Sequence, residues 1–309
     1  MALRVLLAIR GDDLAAWRDA FVAQLPDATF FSPENAPAEV DFVMAWRPPE
    51  HAFARTRVMR AIFNLGAGVD ALLASPSLPR EVPIYRLEDA GMAIQMAEYV
   101  LYAVLRAYRE FDAYAAAQRE SLWRRRPRIA KEAFGVGFLG VGVLGQAVAR
   151  ALAPLGFPLL GYARTPRQVR GVRMFIGAAM LGPFLRESRV LVCLLPSTSE
   201  TRNLLSRELL AQLPRGAHVV NIARGEILCD DDLLALLDEG HLGGATLDVF
   251  AEEPLPRDHR FWHHPGITLT PHVAAVTLVP ESVEQVAAKL RSIERGVEPA
   301  GRVDRRRGY

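Results

Sequence analysis

Cysteine is scarce: Cys193 and Cys229 are the only two in 309 residues and show no C-x-x-C spacing, which excludes a disulfide framework or a cysteine-built metal site. That usage predicts a reducing compartment, the cytoplasm. Long apolar runs are also missing, and no uninterrupted stretch of about 18 residues is available to span a bilayer. The apolar opening from Leu3 to Ile9 is interrupted by Arg4 and ended by Arg10-Gly11-Asp12-Asp13 with no small-residue cleavage site, so it reads as a strand and not as a signal. There is little excess of either charge: 37 Lys and Arg face 35 Asp and Glu, a formal net charge of +2, too balanced for the field of a dedicated nucleic-acid binder. Repeats and low-complexity segments are absent. What is present is ordinary globular composition, 50% apolar and 23% charged, at a length that predicts two domains.

In the first hundred residues, apolar runs near Arg4–Ile9, Asp41–Trp46, Ala61–Leu65 and Pro83–Leu87 predict strands. Leu14, Trp17, Phe21 and Leu25 recur at helical spacing after the capping candidates Asp12 and Asp13. From Gly91 to about Trp123 the helical spacing continues without proline and predicts one long helix. Arg124-Arg125-Arg126-Pro127-Arg128 follows; lacking interleaved aromatics, it reads as a solvated loop and not as a nucleic-acid patch.

The second half alternates more regularly. Strands are predicted at Gly135–Leu139, Pro158–Tyr162, Arg189–Leu195, Ala217–Ile222, Gly243–Asp248 and Ile267–Thr270, with helices at Val143–Leu155, Ser206–Leu213 and Asp231–Asp238. The region between Tyr162 and Arg189 is read only as variable. The α-β alternation is that of a doubly wound α/β sheet. Asp230 or Asp231 is the expected cap of the helix that follows. A last helix from about Pro280 to Arg295 leads into the basic tail Arg302-Val303-Asp304-Arg305-Arg306-Arg307-Gly308-Tyr309.

Gly140-Val141-Gly142-Val143-Leu144-Gly145 is a G-x-G-x-x-G placed after a predicted strand and opening a predicted helix. In that context Gly140 allows the tight turn, Gly142 lets backbone approach a pyrophosphate, and Gly145 lets helix and sheet pack closely. The anion sits on the helix N-terminus, so Gly140, Gly142, Val143, Leu144 and Gly145 are candidate dinucleotide contacts. At the end of the next strand, the acidic residue that would bond the 2′-hydroxyl of NAD is missing. Arg164, Thr165 and Arg167 occupy the place. A guanidinium grips a 2′-phosphate with paired donors, which predicts NADP(H) as the preferred cofactor and NAD(H) as the lesser one. The competing reading is a pair of solvated arginines.

Taken in order, the motifs resemble the D-2-hydroxyacid dehydrogenase family, most closely its reductases of small 2-oxo acids. They are Met44-Ala45-Trp46-Arg47-Pro48-Pro49, Leu65-Gly66-Ala67-Gly68-Val69-Asp70, Arg86-Leu87-Glu88-Asp89 with Gly91-Met92, the glycine motif, Asn221-Ile222-Ala223-Arg224-Gly225, Leu247-Asp248-Val249-Phe250, Glu253-Pro254-Leu255-Pro256, Thr270-Pro271-His272-Val273-Ala274-Ala275 and the C-terminal tail. The resemblance implies a catalytic trio of Arg224, Glu253 and His272. Reducing a 2-oxo acid needs a proton for the developing alkoxide, a cation for the carboxylate and the nicotinamide held over the carbonyl carbon. An imidazole beside a carboxylate favours its protonated form and can act as the acid, and a guanidinium offers the carboxylate a fixed pair of donors.

The resemblance further implies substrate contacts at Gly66, Ala67 and Gly68, whose backbone N–H groups can form a nest for a carboxylate. Trp46 either bounds the substrate pocket or is a core tryptophan; Arg47 either adds a second carboxylate contact or is solvated. Leu195, Pro196, Ile222 and Ala223 are implied cofactor contacts. Asp248 is implied to accept from the nicotinamide amide, with a turn cap as the alternative. His51, His218, His241, His259, His263 and His264 are read as surface or core residues, and His263-His264 lacks a third ligand, so no metal is expected.

The expected architecture is a Rossmann-type nucleotide-binding domain over residues 99–282 and a flavodoxin-like substrate domain made of residues 1–98 and 283–309, with the active site between them. The expected reaction is NADPH-dependent hydride transfer to glyoxylate or hydroxypyruvate, giving glycolate or D-glycerate. A homodimer is expected, contacting through Gly91–Trp123, with no nucleic-acid or membrane partner. A phosphoglycerate-type or formate dehydrogenase would share the fold, although formate enzymes carry glutamine where Glu253 stands. The alternative from another class is a non-catalytic, nucleotide-sensing corepressor-like protein.

Overall fold

Parallel strands buried on both faces account for the apolar runs of the sequence. In the computed structural model, which describes residues 2–11 and 14–309, these strands form two separate sheets. The chain divides into two compact units, Met1–Met92 with Thr277–Tyr309, and Ala93–Val276. Asp12 and Asp13, the expected caps of the first helix, lie outside the described residues.

The first unit contains β1 (Leu3–Ile9), α1 (Leu14–Gln24), β2 (Ala28–Phe31), β3 (Glu39–Trp46), β4 (Arg57–Asn64), α2 (Asp70–Leu73) and β5 (Ile84–Arg86). Its strands pair in the parallel order β2-β1-β3-β4-β5, the flavodoxin-like order. Trp17 and Phe21 bury the inner face of α1, against which the C-terminal helix Val279–Glu294 packs. The basic tail folds back on this unit. The Val303 N–H donates to the Ile84 carbonyl at 2.8 Å, and the Arg305 guanidinium donates to the Pro79 and Val82 carbonyls, each at 2.7 Å.

Across the boundary run α3 (Met92–Tyr108) and then, within the second unit, α4 (Phe111–Arg119), β6 (Val136–Leu139), α5 (Val143–Leu152), β7 (Leu159–Ala163), β8 (Arg173–Ile176), α6 (Leu181–Glu187), β9 (Val190–Cys193), α7 (Arg207–Leu210), β10 (Ala217–Asn221), α8 (Asp230–Asp238), β11 (Leu242–Leu247) and β12 (Ile267–Leu269). The parallel order is β12-β11-β10-β9-β6-β7-β8, so the chain winds outward in both directions from β6 and β9. This is the doubly wound Rossmann arrangement. Among the described residues no helix is long and apolar enough to cross a membrane.

Three expectations are corrected. The single helix from Gly91 to Trp123 is two, because Glu110 adopts a left-handed backbone (φ 51°) that ends α3 at Tyr108 and starts α4. The region read as variable holds β8 and α6. The N-cap of α8 is Cys229, without a side-chain cap bond; Asp230, Asp231 and Asp232 fill the first turn instead, where negative charge complements the helix dipole.

One buried group makes the second unit sensitive to acid. His218 on β10 is 6% exposed and its Nε2 bonds Thr246 Oγ1 on β11 at 2.9 Å. Burial pushes this imidazole down from 6.5 to about 4. The unfolded chain therefore takes up the proton first as the pH falls. The site's contribution is intact above about pH 6.5 and is lost on the way down to about pH 4, amounting to on the order of 3 kcal/mol. Denaturant unfolding followed across this range is expected to show a shallower acid limb for His218→Gln than for the natural chain; parallel limbs would contradict the account.

Candidate active site

Three neighbouring strands, β10, β11 and β12, end side by side, and each is followed by a loop carrying one member of the predicted trio. Arg224 comes after β10, Glu253 after β11 and His272 after β12. The structure joins two of them directly: His272 Nδ1 lies 2.7 Å from Glu253 Oε2, with both side chains about one-third exposed. The other carboxylate oxygen of Glu253 accepts from the Phe250 N–H at 3.0 Å, so the acid is fixed by its own loop. With Nδ1 occupied, Nε2 is the nitrogen that serves as the proton donor or acceptor toward another molecule.

Arg224 is brought to the same end of the sheet by backbone packing. A Cβ on Gly225 would overlap the backbone of Phe250 and Ala251, so only glycine lets the Arg224 turn lie against the Glu253 loop. Asn221 shapes that turn: its Oδ1 accepts from the Ala223 N–H at 3.2 Å and its Nδ2 donates to the Arg224 carbonyl at 3.0 Å. The Arg224 guanidinium donates to the Ala223 carbonyl at 2.7 Å. Ile222 and Ala223 are buried beneath.

His272 sits in left-handed backbone, φ 57°, an uncommon conformation for a residue with a Cβ that needs firm surroundings. Asp248 supplies them. It is 1% exposed; its Oδ1 accepts from Thr270 Oγ1 at 2.6 Å and the Val273 N–H at 2.8 Å, and its Oδ2 accepts from the Ala274 N–H at 2.8 Å. Its own carbonyl accepts from the His272 N–H at 2.8 Å. These bonds are those of the turn-cap reading; a carboxylate has about four acceptor sites, so a contact with a nicotinamide amide would draw on what remains.

Farther along the same C-terminal edge of the sheet, the glycine loop follows β6. Gly140 has φ 104°, which excludes other residues, and a Cβ on Gly145 would overlap the Gly140 carbonyl. Gly142 is exposed, with nothing within 4 Å of where a Cβ would stand, in front of the N-terminus of α5. That open cradle at a helix N-terminus fits a pyrophosphate. At the end of β7 the Arg167 guanidinium donates to the Val141 carbonyl at 2.9 Å, and Arg164 pairs with Glu200, each more than 60% exposed. Thr165 is exposed between them, and Leu195 and Pro196 follow β9 half-buried. Cys193 closes that strand in the core, where burial pushes its thiol up to about 12 and makes it inert.

In the first unit, the Gly66-Ala67-Gly68 loop follows β4 and is tied by Asn64, whose Nδ2 donates to the Gly66 carbonyl at 2.9 Å and the Gly68 carbonyl at 2.8 Å. Gly66 rests on the Trp46 ring, which a Cβ would strike. Arg47, at φ 43°, lies 5.8 Å over that ring. Trp46 is thus a half-buried platform for the loop, between the two readings the sequence leaves open. Sequence reasoning missed Asn64 and Asn221; the signal for each was an asparagine at the end of a strand just before a tight turn. Among the described residues no group of three or more His, Cys, Asp or Glu is placed to hold a metal ion.

This arrangement has relatives. Residues 101–274 match the family model described as D-isomer specific 2-hydroxyacid dehydrogenase, NAD binding domain. The chain is 42% identical over 299 residues to a glyoxylate/hydroxypyruvate reductase A of Yersinia enterocolitica, covering 95% of this chain and 96% of that one. Among solved structures it is similar to a D-isomer specific 2-hydroxyacid dehydrogenase from Xanthobacter autotrophicus in complex with NADPH and MES, at a TM-score of 0.94 and 38% identity over the whole of both chains. The NADPH-dependent glyoxylate/hydroxypyruvate reductase of Sinorhizobium meliloti, in complex with NADP and sulfate, superposes at 0.92 with 33% identity, covering 99% of this chain and 100% of that one. With a family model spanning more than half its length and a full-length relative above 40% identity, the chain belongs to the D-isomer specific 2-hydroxyacid dehydrogenase family.

Proposed function

We propose that the protein is an NADPH-dependent reductase of small 2-oxo acids that converts glyoxylate to glycolate and hydroxypyruvate to D-glycerate. The observation that carries this reading is the Glu253–His272 pair at 2.7 Å, set at the ends of adjacent strands beside the Arg224 turn. The names of the relatives agree with it. When bound, the dinucleotide supplies a hydride to C2. His272 delivers a proton from Nε2 to the carbonyl oxygen as the new C–H bond forms, and Glu253 holds the ring in the orientation for that transfer. Arg224 binds the substrate carboxylate and draws electron density from the carbonyl.

Gly66, Ala67, Gly68, Trp46 and Arg47 are assigned to the carboxylate and side chain of the substrate. Gly140, Gly142, Val143, Leu144, Gly145, Leu195, Pro196, Ile222, Ala223 and Asp248 are assigned to the cofactor, and Arg164, Thr165 and Arg167 to its 2′-phosphate. The test is NADPH consumption with a panel of 2-oxo acids. Turnover of glyoxylate and hydroxypyruvate with chiral analysis giving D-glycerate is expected; tight NADPH binding without turnover would favour a nucleotide sensor.

The enzyme is further assigned to the cytoplasm as a homodimer. Tyr102, Leu105, Phe111, Tyr114, Leu122 and Trp123 are all exposed on or just after α3 and α4, and Trp123 is 98% exposed. Exposed apolar side chains concentrated in this stretch of the chain suit an association surface. Sedimentation velocity is expected to give twice the mass of one chain, and Phe111→Asp with Trp123→Glu to give the single-chain mass; a monomeric natural chain would contradict it.

A further inference from the structure

The hydrogen-bond chain behind the His272 loop does not end at Asp248. On α3, the Tyr99 hydroxyl lies 2.6 Å from Thr270 Oγ1, whose own hydrogen goes to Asp248 Oδ1 at 2.6 Å. A carboxylate only accepts and a threonine hydroxyl has one hydrogen to give, so the direction is fixed: Tyr99 donates to Thr270, and Thr270 donates to Asp248. Two residues beyond Thr270 comes His272, in its left-handed conformation.

We propose that Tyr99 is a positioning residue for His272: its hydroxyl closes a one-way hydrogen-bond chain that holds Thr270 against Asp248 and so fixes the loop presenting the imidazole to Glu253. This rests on the catalytic reading of His272 above. The phenol is suited to the role because burial pushes it up to about 12, which keeps it a donor across the working pH range. Around it stand Thr270, Asp248, Tyr102 and Arg106. The Val273 and Ala274 N–H groups bond Asp248 independently of Tyr99, so removing the phenol hydroxyl loosens the loop at Thr270 without dismantling it. The His272–Glu253 bond is then made less of the time.

The test uses Tyr99→Phe in the full-length protein, with Tyr108→Phe as the control. Tyr108 lies on the same helix and donates to the Ile129 carbonyl at 3.2 Å, away from the chain. Tyr99→Phe is expected to lower kcat about tenfold with KM for NADPH unchanged within about twofold. Tyr108→Phe is expected to lower thermal stability with kcat unmoved. A Tyr99→Phe enzyme with the natural kcat overturns the inference.

A readout independent of turnover separates the inference from the functional reading. The proton between His272 Nδ1 and Glu253 is followed by NMR and assigned by its absence in His272→Ala. Broadening or loss of this resonance in Tyr99→Phe supports the positioning role even in a preparation that reduces no 2-oxo acid, an outcome that would overturn the proposed function alone. An unchanged resonance overturns the positioning role.

Discussion

Replacing His272 with alanine is expected to lower kcat for glyoxylate and hydroxypyruvate by about 10²–10⁴-fold while leaving NADPH binding nearly unchanged. The imidazole is the proton donor of the proposed reaction, and the glycine loop lies across the sheet, beyond β9, on a different set of strand ends. Glu253→Gln is expected to lose less, because an amide keeps an acceptor for Nδ1 but gives a weaker bond than the carboxylate. Steady-state kinetics with fluorescence titration of NADPH separates the two effects. A His272→Ala enzyme with natural turnover would contradict the assignment of the acid; one that has lost NADPH binding would place the histidine in the cofactor site instead.

The second large effect concerns cofactor choice. Arg164→Ala is expected to lower kcat/KM with NADPH by about 10–100-fold and to leave the value with NADH within about twofold, because a charge-assisted pair to the 2′-phosphate exists only with the phosphorylated dinucleotide. The Arg164–Glu200 pair does not oppose this. Both side chains are more than 60% exposed, and an exposed pair of this kind contributes little, so Arg164 can leave Glu200 for a phosphate at small cost. Glu200→Gln is accordingly expected to strengthen NADPH binding modestly. Equal losses with both dinucleotides would assign Arg164 to structure.

Much of this was legible in the sequence because the physics acts locally. Buried parallel strands such as Val136–Leu139 and Ala217–Asn221 are continuous apolar runs, and the glycine motif between β6 and α5 is constrained within six residues. The misses have local reasons as well. The edge strands β2 and β8 are four residues each and only partly buried, so their patterning is weak. Gly182 and Pro183 obscure α6, and Glu110 ends α3 through a backbone conformation that no glycine or proline signals.

The site divides in the same way. His272 and Glu253 were visible through motifs, whereas the bond between them spans 19 residues and the Tyr99–Thr270 bond spans 171, and only the fold brings such partners together. The Asp248 bonds show a further reason. An aspartate after a strand looks the same in sequence whether it faces a ligand or holds a loop; burial and its three donors distinguish the cases.

The central claim, that this chain passes a hydride from NADPH to C2 of a 2-oxo acid, is tested most directly by isotope transfer. With NADPH carrying deuterium at the transferable C4 position and hydroxypyruvate as acceptor, the account predicts D-glycerate bearing one deuterium at C2 for each NADPH oxidised. Bound but unoxidised NADPH, or glycerate without deuterium at C2, would contradict it.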